Sequence, residues 1–515
     1  AASDVYKRQV MTLIELPKKI IKRLTFIFLN RFFYQEPRSL LRLLYRWNLD
    51  IPLFAIPYFY IANFSNLKKL KRLKASGKSP AIIYFAVEND GRFDRLYEMS
   101  KAADVDNSVW FCFPRECIST EAIIFESFAR RKSDFYEDAR MKYIEPGNDE
   151  NRARYRQYLN RFFPAFERLT GKIDFFMSGS NHDRYVVEMV AVAQSRGIEW
   201  IVAEREGTGT KFSYKNEAEC YKQSKCVTAD YFFTANAGHK YMFDHSRQAS
   251  VKEVSVVGEL DTDWWFHWDR SFSRRQYREW DKYERRVLFL TFGIRNYVES
   301  YAFPDNPEFN WQRLLTEAED SVFEFASKHR DVLVFYKMGH IEDNNPLFIA
   351  RCAKAGLTNI VPLDRSFPCN ELILYSQLII GFQSTATFES MFSDAPIFYL
   401  DWAIPEGIDR EEMLLPIADL GACTPIKSQA HFDEMLNKWE QGDASIISIS
   451  PEMKEARVTT RNIMFVNSDG HVAERAWDKI EDLIAQRRIA LSNVRDPVNA
   501  CLLYTSPSPR DRQKS

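Results

Sequence analysis

Ser384, Thr385 and Glu389 lie in the stretch LIIGFQSTATFESMFSDAPIFYLDW, from Leu378 to Trp402, at a spacing suited to holding an anion and a sugar together. Hydroxyls at a helix start, beside the unpaired N–H groups of its first turn, bind phosphate. A carboxylate four residues after Thr385 falls one turn along the same face, within reach of ribose hydroxyls. Gln383 belongs to the same polar turn. The plain alternative makes Ser384 an N-cap and Glu389 a solvated helix residue. Other charged groups close apolar runs. Gly293 and Arg295 follow RRVLFLTF, and a guanidinium offers fixed bidentate donors to a diphosphate. Lys337 and His340 end DVLVFYKMGH as donors to phosphate or sugar, or as solvated loop residues. For proton transfer the candidates are His182 with Asp183, and Glu206 as a rival base; His182 reads equally as a helix-entry residue. Polar turns at Asn89, Asp90 and Gly91, and at Ser178 and Asn181, suit a hydroxyl-bearing second substrate. The turn at Gly91 also reads as a loop whose glycine supplies positive φ.

The elements that would position these groups are βα units. Leu378–Ile380 and Ile397–Leu400 are short apolar runs around a helical segment, Ala386–Phe392, which predicts parallel neighbours buried on both faces. The same rhythm begins at Ala81–Val87 and Ser108–Phe113, and recurs at IDFFMSGSNHDRYVVEMVAVAQSRGIEWIVAEREGT after a charged helix over Asn151–Leu169. In doubly wound sheets ligands bind outside the carboxyl ends of the strands, where all these polar turns fall. The predicted fold class is therefore α/β. Its parts are a basic, largely helical N-terminal extension over 11–80, a first domain over 80–260, a linker over 261–284, a second domain over 285–430, and C-terminal helices over 431–490. Residues 1–9 and 501–515 resemble translated adapter sequence, so the natural start is expected near Met11 and the natural carboxyl terminus is expected to be missing.

Composition narrows the classes. With a net charge of −1 in 515 residues, no nucleic-acid partner is expected. The eight cysteines have no CxxC spacing and read as reduced core residues, which suits a cytoplasmic location. No metal site is expected: HExxH is missing, and Asp261-Thr262-Asp263 leads into a polar linker instead of lying within a nucleotide-binding sheet. Gly207-Thr-Gly-Thr-Lys211 lacks the P-loop spacing. Residues 11–80 combine many Lys and Arg with aromatic and aliphatic residues, and IPLFAIPYFYIANF is too short to span a bilayer. That segment suits an anionic membrane surface on the cytoplasmic side, and suits equally well packing against the protein's own domains.

Taken with their turns, these motifs resemble GT-B glycosyltransferases of surface-polysaccharide biosynthesis, related to nucleotide-sugar 2-epimerases and glycerophosphotransferases. The resemblance rests on Ser384, Thr385, Glu389, Ala395, Pro396 and Ile397 in the second domain, on Glu204 to Gly207 in the first, and on Val257, Gly258 and Asp261 at the exit from it. It implies two facing Rossmann-like domains, a nucleotide-sugar donor as substrate with no other cofactor, and a carbohydrate or lipid-linked acceptor. It also carries nucleobase contacts by backbone groups onto Leu363, Asp364 and Arg365. The epimerase alternative is weakened because the segment Thr291 to Asn296 lacks that group's histidine, and Glu389 is followed by Ser390 instead of a second glutamate. Glycerophosphate transfer and a non-catalytic assembly or membrane scaffold of the same fold complete the alternatives.

Overall fold

The computed structural model describes residues 44–87, 94–102, 107–114, 117, 149–179, 184–204, 207–267, 277–292, 311–338, 346–363, 367–402, 404 and 407–495. The described chain is α/β with two six-stranded sheets, and every described strand pairing is parallel. The first sheet contains β1 (Ala81–Val87), β2 (Ser108–Pro114), β3 (Phe175–Ser178), β4 (Glu199–Ala203), β5 (Tyr231–Thr234) and β6 (Glu253–Val256), in the order β2-β1-β3-β4-β5-β6. The second contains β7 (Arg285–Leu290), β8 (Val332–Lys337), β9 (Ile360–Leu363), β10 (Leu378–Gly381), β11 (Ile397–Leu400) and β12 (Thr424–Ile426), in the order β12-β11-β10-β7-β8-β9. Read from β9, the second sheet has the order 3-2-1-4-5-6 of dinucleotide-binding folds. Its strand order therefore reverses between β7 and β10. In the first sheet the reversal falls between β1 and β3.

The chain forms two compact units, and the division runs through the first sheet. In the first unit, helices α1 (Ile56–Ala75), α2 (Asp149–Thr170) and α3 (Arg184–Ser195) accompany β1 to β3. Phe59 of α1 is fully buried against Tyr84, Phe111, Phe113 and Phe166, with ring centroids 5.0–6.2 Å away. Asn63, at a kink in α1, closes the open edge of β2: its amide donates to the Cys112 carbonyl at 2.6 Å and accepts from the Cys112 N–H at 2.8 Å. A side chain thus supplies what a further strand would, which keeps that edge from pairing elsewhere. On α2, Arg152 and Arg156 both reach the buried carboxylate of Glu188 on α3.

The second unit holds α4 (Lys211–Ser224) and α5 (Ala237–Ser246) around β5 and β6, then the whole second sheet. Around that sheet run α6 (Trp311–Lys328), α7 (Pro346–Lys354), α8 (Cys369–Tyr375), α9 (Thr385–Glu389), α10 (Gln429–Glu440), α11 (Pro451–Met464) and α12 (Val472–Arg495). Strands β7, β8, β10 and β11 are buried almost throughout, as Val-, Leu-, Ile- and Phe-rich runs covered on both faces must be. The sequence reads as polar and helical past Ile408, yet Thr424–Ile426 adds a sixth strand. Three residues, one of them proline, are too few to show a strand pattern, and proline is admissible at a sheet edge.

Candidate functional site

The second sheet's switch point lies where β7 and β10 end. There Gly381 closes β10, and Ser384 starts α9, which continues as a 3₁₀ turn through Phe392. Ser384 is in extended conformation and caps the helix: its hydroxyl accepts from the Thr387 N–H at 3.2 Å and lies 2.9 Å from the Thr387 hydroxyl. Thr387 is fully buried, and a Cβ on Gly381 would meet its hydroxyl oxygen at 2.4 Å. Glycine is therefore what lets the helix start sit directly on the strand end. The first two helical N–H groups, of Thr385 and Ala386, have no acceptor within the helix. Gln383 turns inward instead: its amide accepts from the Leu415 N–H at 2.7 Å and donates to the Leu415 carbonyl at 3.3 Å and to the Tyr399 hydroxyl.

Neighbouring strand ends add charge. Lys337 ends β8 and is 9% exposed, and it lies in register with Leu363 at the end of β9. Thr291, just past β7, fixes this edge by donating its N–H and its hydroxyl to the Lys337 carbonyl at 3.1 and 3.0 Å. The Leu363 carbonyl accepts from the Met338 N–H at 3.0 Å. Lys337 and Glu389 both act electrostatically on the Cys369 thiol at the start of α8. Burial pushes that thiol up to about 12, the Glu389 carboxylate pushes in the same direction, and the Lys337 ammonium opposes them. Cys369 therefore stays a neutral thiol, under the opposed influence of an anion and a cation.

Behind this site, Arg457 of α11 is buried, and no ion pair to it is found among the described residues. Its guanidinium donates to the carbonyls of Ser393 at 2.8 Å, Ala395 at 2.9 Å and Ala422 at 3.0 Å, and burial lowers its pKa to about 10. Three carbonyls in one fork fix the return from α9 into β11 and the approach to β12.

At the first sheet, the turn after β4 is occupied by the protein's own side chains. The Gly207 N–H donates to Glu259 at 3.3 Å, while its carbonyl accepts from Asn236 at 2.7 Å and from the Tyr214 hydroxyl at 2.5 Å. A Cβ on Gly207 would meet the Ala235 Cβ at 2.3 Å and His239 Nδ1 at 2.9 Å; one on Gly238 would meet the Tyr214 ring at 2.3 Å. Burial pushes the His239 imidazole down to about 3 and the Tyr214 phenol far above its ordinary range. The same Asn236 donates to the Met464 carbonyl at 2.9 Å, tying this turn to the end of α11. Asp263, part of the Asp261-Thr262-Asp263 triplet, accepts from the N–H groups of Val472 at 2.9 Å and Ala473 at 2.7 Å. It caps α12, a structural use for a carboxylate that the sequence already set apart from metal binding.

No protein-family model and no curated protein matches this chain. Among solved structures it is similar to a UDP-N-acetylglucosamine 2-epimerase at 12% identity, over 80% of this chain and 97% of that one, with a TM-score of 0.49. It is similar also to the UDP-GlcNAc 2-epimerase of Methanocaldococcus jannaschii, at 12% identity over 78% and 99% of the two chains, TM-score 0.44. A variant of the wall teichoic acid polymerase TagF gives 11% identity over 83% and 96%, TM-score 0.44. At these identities and TM-scores the likenesses assign no activity.

The described candidates fall as follows. Lys337, Leu363, Ser384, Thr385 and Glu389 lie on β8, β9 and α9 along one edge of the second sheet, and Gln383 belongs to the same turn with its amide directed into the fold. Ser178 ends β3 buried, with its hydroxyl accepting from the Trp200 indole N–H at 2.9 Å. His182, Asp183, Glu206, Asn89, Asp90, Gly91, Asn181, Gly293, Arg295, His340, Asp364 and Arg365 lie outside the described residues. Cys369, Thr387, Thr291 and Arg457 were not singled out from the sequence. Only Thr387 carried a usable sign, since it stands three residues after a capping serine.

Proposed function

We propose that this chain is a metal-independent glycosyltransferase, moving a sugar from a nucleotide-activated donor to a cell-surface carbohydrate or lipid-linked acceptor. The observation that carries the reading is the capped helix start at the reversal of a 3-2-1-4-5-6 sheet, with the buried Lys337 at the end of the neighbouring strand β8. In this reading the N–H groups of Thr385 and Ala386 and the Lys337 ammonium take the donor diphosphate, and Glu389 takes ribose hydroxyls. Leu363 to Arg365 meet the base, and Arg295, carried by the turn at Gly293, and His340 complete the charge around the leaving group. Catalysis is then mainly positioning, with stabilisation of the nucleoside diphosphate as the glycosidic bond breaks. In this reading Asn89 to Gly91 and Asn181 take the acceptor, with Glu206 or the His182–Asp183 pair taking its proton, while Ser178, buried and held by the Trp200 indole, is left out.

Calorimetry on the full chain with uridine, cytidine, guanosine and adenosine diphosphates, without added metal, tests the donor site. One nucleotide is expected to bind selectively, and Lys337→Ala or Glu389→Ala to weaken it by roughly tenfold or more, as loss of a charge-assisted hydrogen bond does. Failure of every nucleotide to bind at millimolar concentration would put the scaffold alternative ahead. With a binding nucleotide in hand, its sugar conjugates distinguish transfer to an acceptor from epimerisation by the product formed.

A further inference from the structure

Within the second unit, the chain that follows β11 runs from the turn at Ser384 to helix α4. Its root is a buried carboxylate. Asp401, immediately after β11, takes Arg410 at 3.1 Å and also pairs with Lys427, and the same guanidinium reaches Asp419 at 3.3 Å. Arg410 opens a short helix, Arg410–Met413, capped by Asp409, whose carboxylate accepts from the Glu412 N–H at 3.1 Å. The far end of that helix is held from the Ser384 turn itself. Gln383 takes both main-chain groups of Leu415, the N–H at 2.7 Å and the carbonyl at 3.3 Å, and both residues are buried. Between these two anchors the segment reaches α4: Glu411 pairs with Lys211, and Glu412 pairs with Lys215 at 2.8 Å. Lys211 and Lys215 stand one turn apart, so both pairs fall on one face of α4. That helix starts at Thr210, in the turn that contains Gly207.

We propose that the segment Asp409–Leu415 is a bridge coupling the turn at Ser384 to the turn at Gly207, with Gln383 as its positioning residue. Gln383 acts through other groups, because its amide is turned into the fold, onto Leu415 and the Tyr399 hydroxyl. The two joints of the bridge differ in kind. At Gln383 the hydrogen bonds are buried, where an unmatched peptide group costs most, so the Ser384 turn and the bridge move together. At α4 the joints are ion pairs of exposed lysines, which add little to stability and weaken with salt. That end opens without unfolding either side. A firm joint at one turn and a releasable joint at the other let a displacement of the first be felt at the second. Under the sugar-transfer reading, on which this consequence rests, a nucleotide seated on the Thr385 and Ala386 N–H groups favours one setting of the bridge and so steadies the start of α4. Linkage makes the effect reciprocal: loosening the α4 joint weakens the nucleotide.

Amide hydrogen exchange of the full chain, read over Asp409–Leu415 and over the first two turns of α4, tests the bridge without any ligand. Gln383→Met keeps the volume and removes the hydrogen bonds. Exchange is expected to quicken at least about fivefold in α4 as well as beside Leu415, whereas a role confined to its own turn leaves α4 unchanged. From the other side, Lys211→Glu with Lys215→Glu should quicken exchange at Leu415. Adding Glu411→Lys and Glu412→Lys should restore the parent rates at both ends, since the pairs re-form with their signs reversed. Salt at about 1 M, where charges act over about 3 Å, should act on the parent as the two lysine substitutions do. With a binding nucleoside diphosphate in hand, its affinity should fall at least about fivefold in the double lysine variant and return in the fourfold swap. Unchanged α4 exchange in Gln383→Met, or a swap that restores neither end, would overturn the bridge. If Gln383→Met does not fold, the surface variants decide alone. A nucleotide affinity indifferent to those variants would overturn the coupling to occupancy, and failure of every nucleotide to bind would remove the donor reading while the exchange rates still decide the bridge.

Discussion

Two turns of this molecule are built from nearly the same materials and end up with opposite characters. After β4 the chain runs Gly-Thr-Gly-Thr into α4, and Thr210 caps that helix by accepting from the Ser213 N–H at 2.9 Å. After β10 it runs Gly-Phe-Gln-Ser into α9, and Ser384 caps in the same manner. Both turns have a glycine that tolerates no Cβ. In the first, Glu259, Asn236 and Tyr214 take both polar groups of the Gly207 peptide, and His239 packs beside it. In the second, the obstructing group is the hydroxyl of the helix's own Thr387, and Gln383 turns inward. A glycine turn into a capped helix is therefore not by itself a ligand site. What decides is whether side chains from elsewhere already hold its peptide groups.

The comparison can be broken most severely from behind the second turn. Arg457→Ala leaves the carbonyls of Ser393, Ala395 and Ala422 without their donor in a buried place, and should cost about 3–5 kcal/mol. Urea denaturation measures it, and a loss below about 1 kcal/mol would mean the return into β11 holds without the guanidinium. Next come the glycines. Gly207→Ala and Gly381→Ala should each cost about 1–3 kcal/mol by overpacking. The two should separate in double-mutant cycles. Gly381→Ala with Thr387→Ala removes the obstructing side chain and should show a favourable coupling of about 1 kcal/mol, whereas Gly207→Ala with Ala235→Gly leaves His239 in the way and should show little. Equal coupling in both cycles would erase the distinction between a filled turn and an open one.

A smaller effect reads the first turn by acid. His239 titrates near 6.5 when unfolded but near 3 in the fold, so between those values the unfolded chain binds more protons. Stability is therefore complete above about pH 6.5 and is lost as pH falls toward 3, amounting to about 2 kcal/mol at pH 5. In His239→Gln the difference in unfolding free energy between pH 7.5 and pH 5 should shrink by about that amount. An unchanged pH dependence would mean that the imidazole is not held neutral by burial.

Apart from β12, the strands were legible where they form short apolar runs between turn residues, and Leu378–Leu400 shows strand, helix and strand in 23 residues. The order of strands was not written there, and with it went the switch point, since both depend on how distant units assemble. The candidates on the second sheet edge were legible for a local reason: residues at strand ends and helix starts are placed by their own neighbours. The cluster around Gly207 was not, because Tyr214, Asn236, Glu259 and Met464 meet only through space. Arg457 was hidden differently. In a polar helical tract an arginine reads as solvated, and only the fold turns its guanidinium onto three buried carbonyls.

The ties from α11 and α12 to the first sheet also set a timetable for the nascent chain. Asn236 waits for the carbonyl of Met464, 228 residues later, and Asp263 for the amides of Val472 and Ala473, 209 and 210 residues later. Beside them, Arg475 donates to the Val257 carbonyl at 3.1 Å and Lys479 pairs with Glu253 of the edge strand β6 at 2.7 Å. A ribosome adding about 5–20 residues per second leaves these partners unmade for roughly ten to fifty seconds after the early segment emerges. The outer half of the first sheet is thus finished only once the second sheet has been translated. During that interval β6 lacks the clasp from α12, a period in which chaperone protection of that edge would matter most.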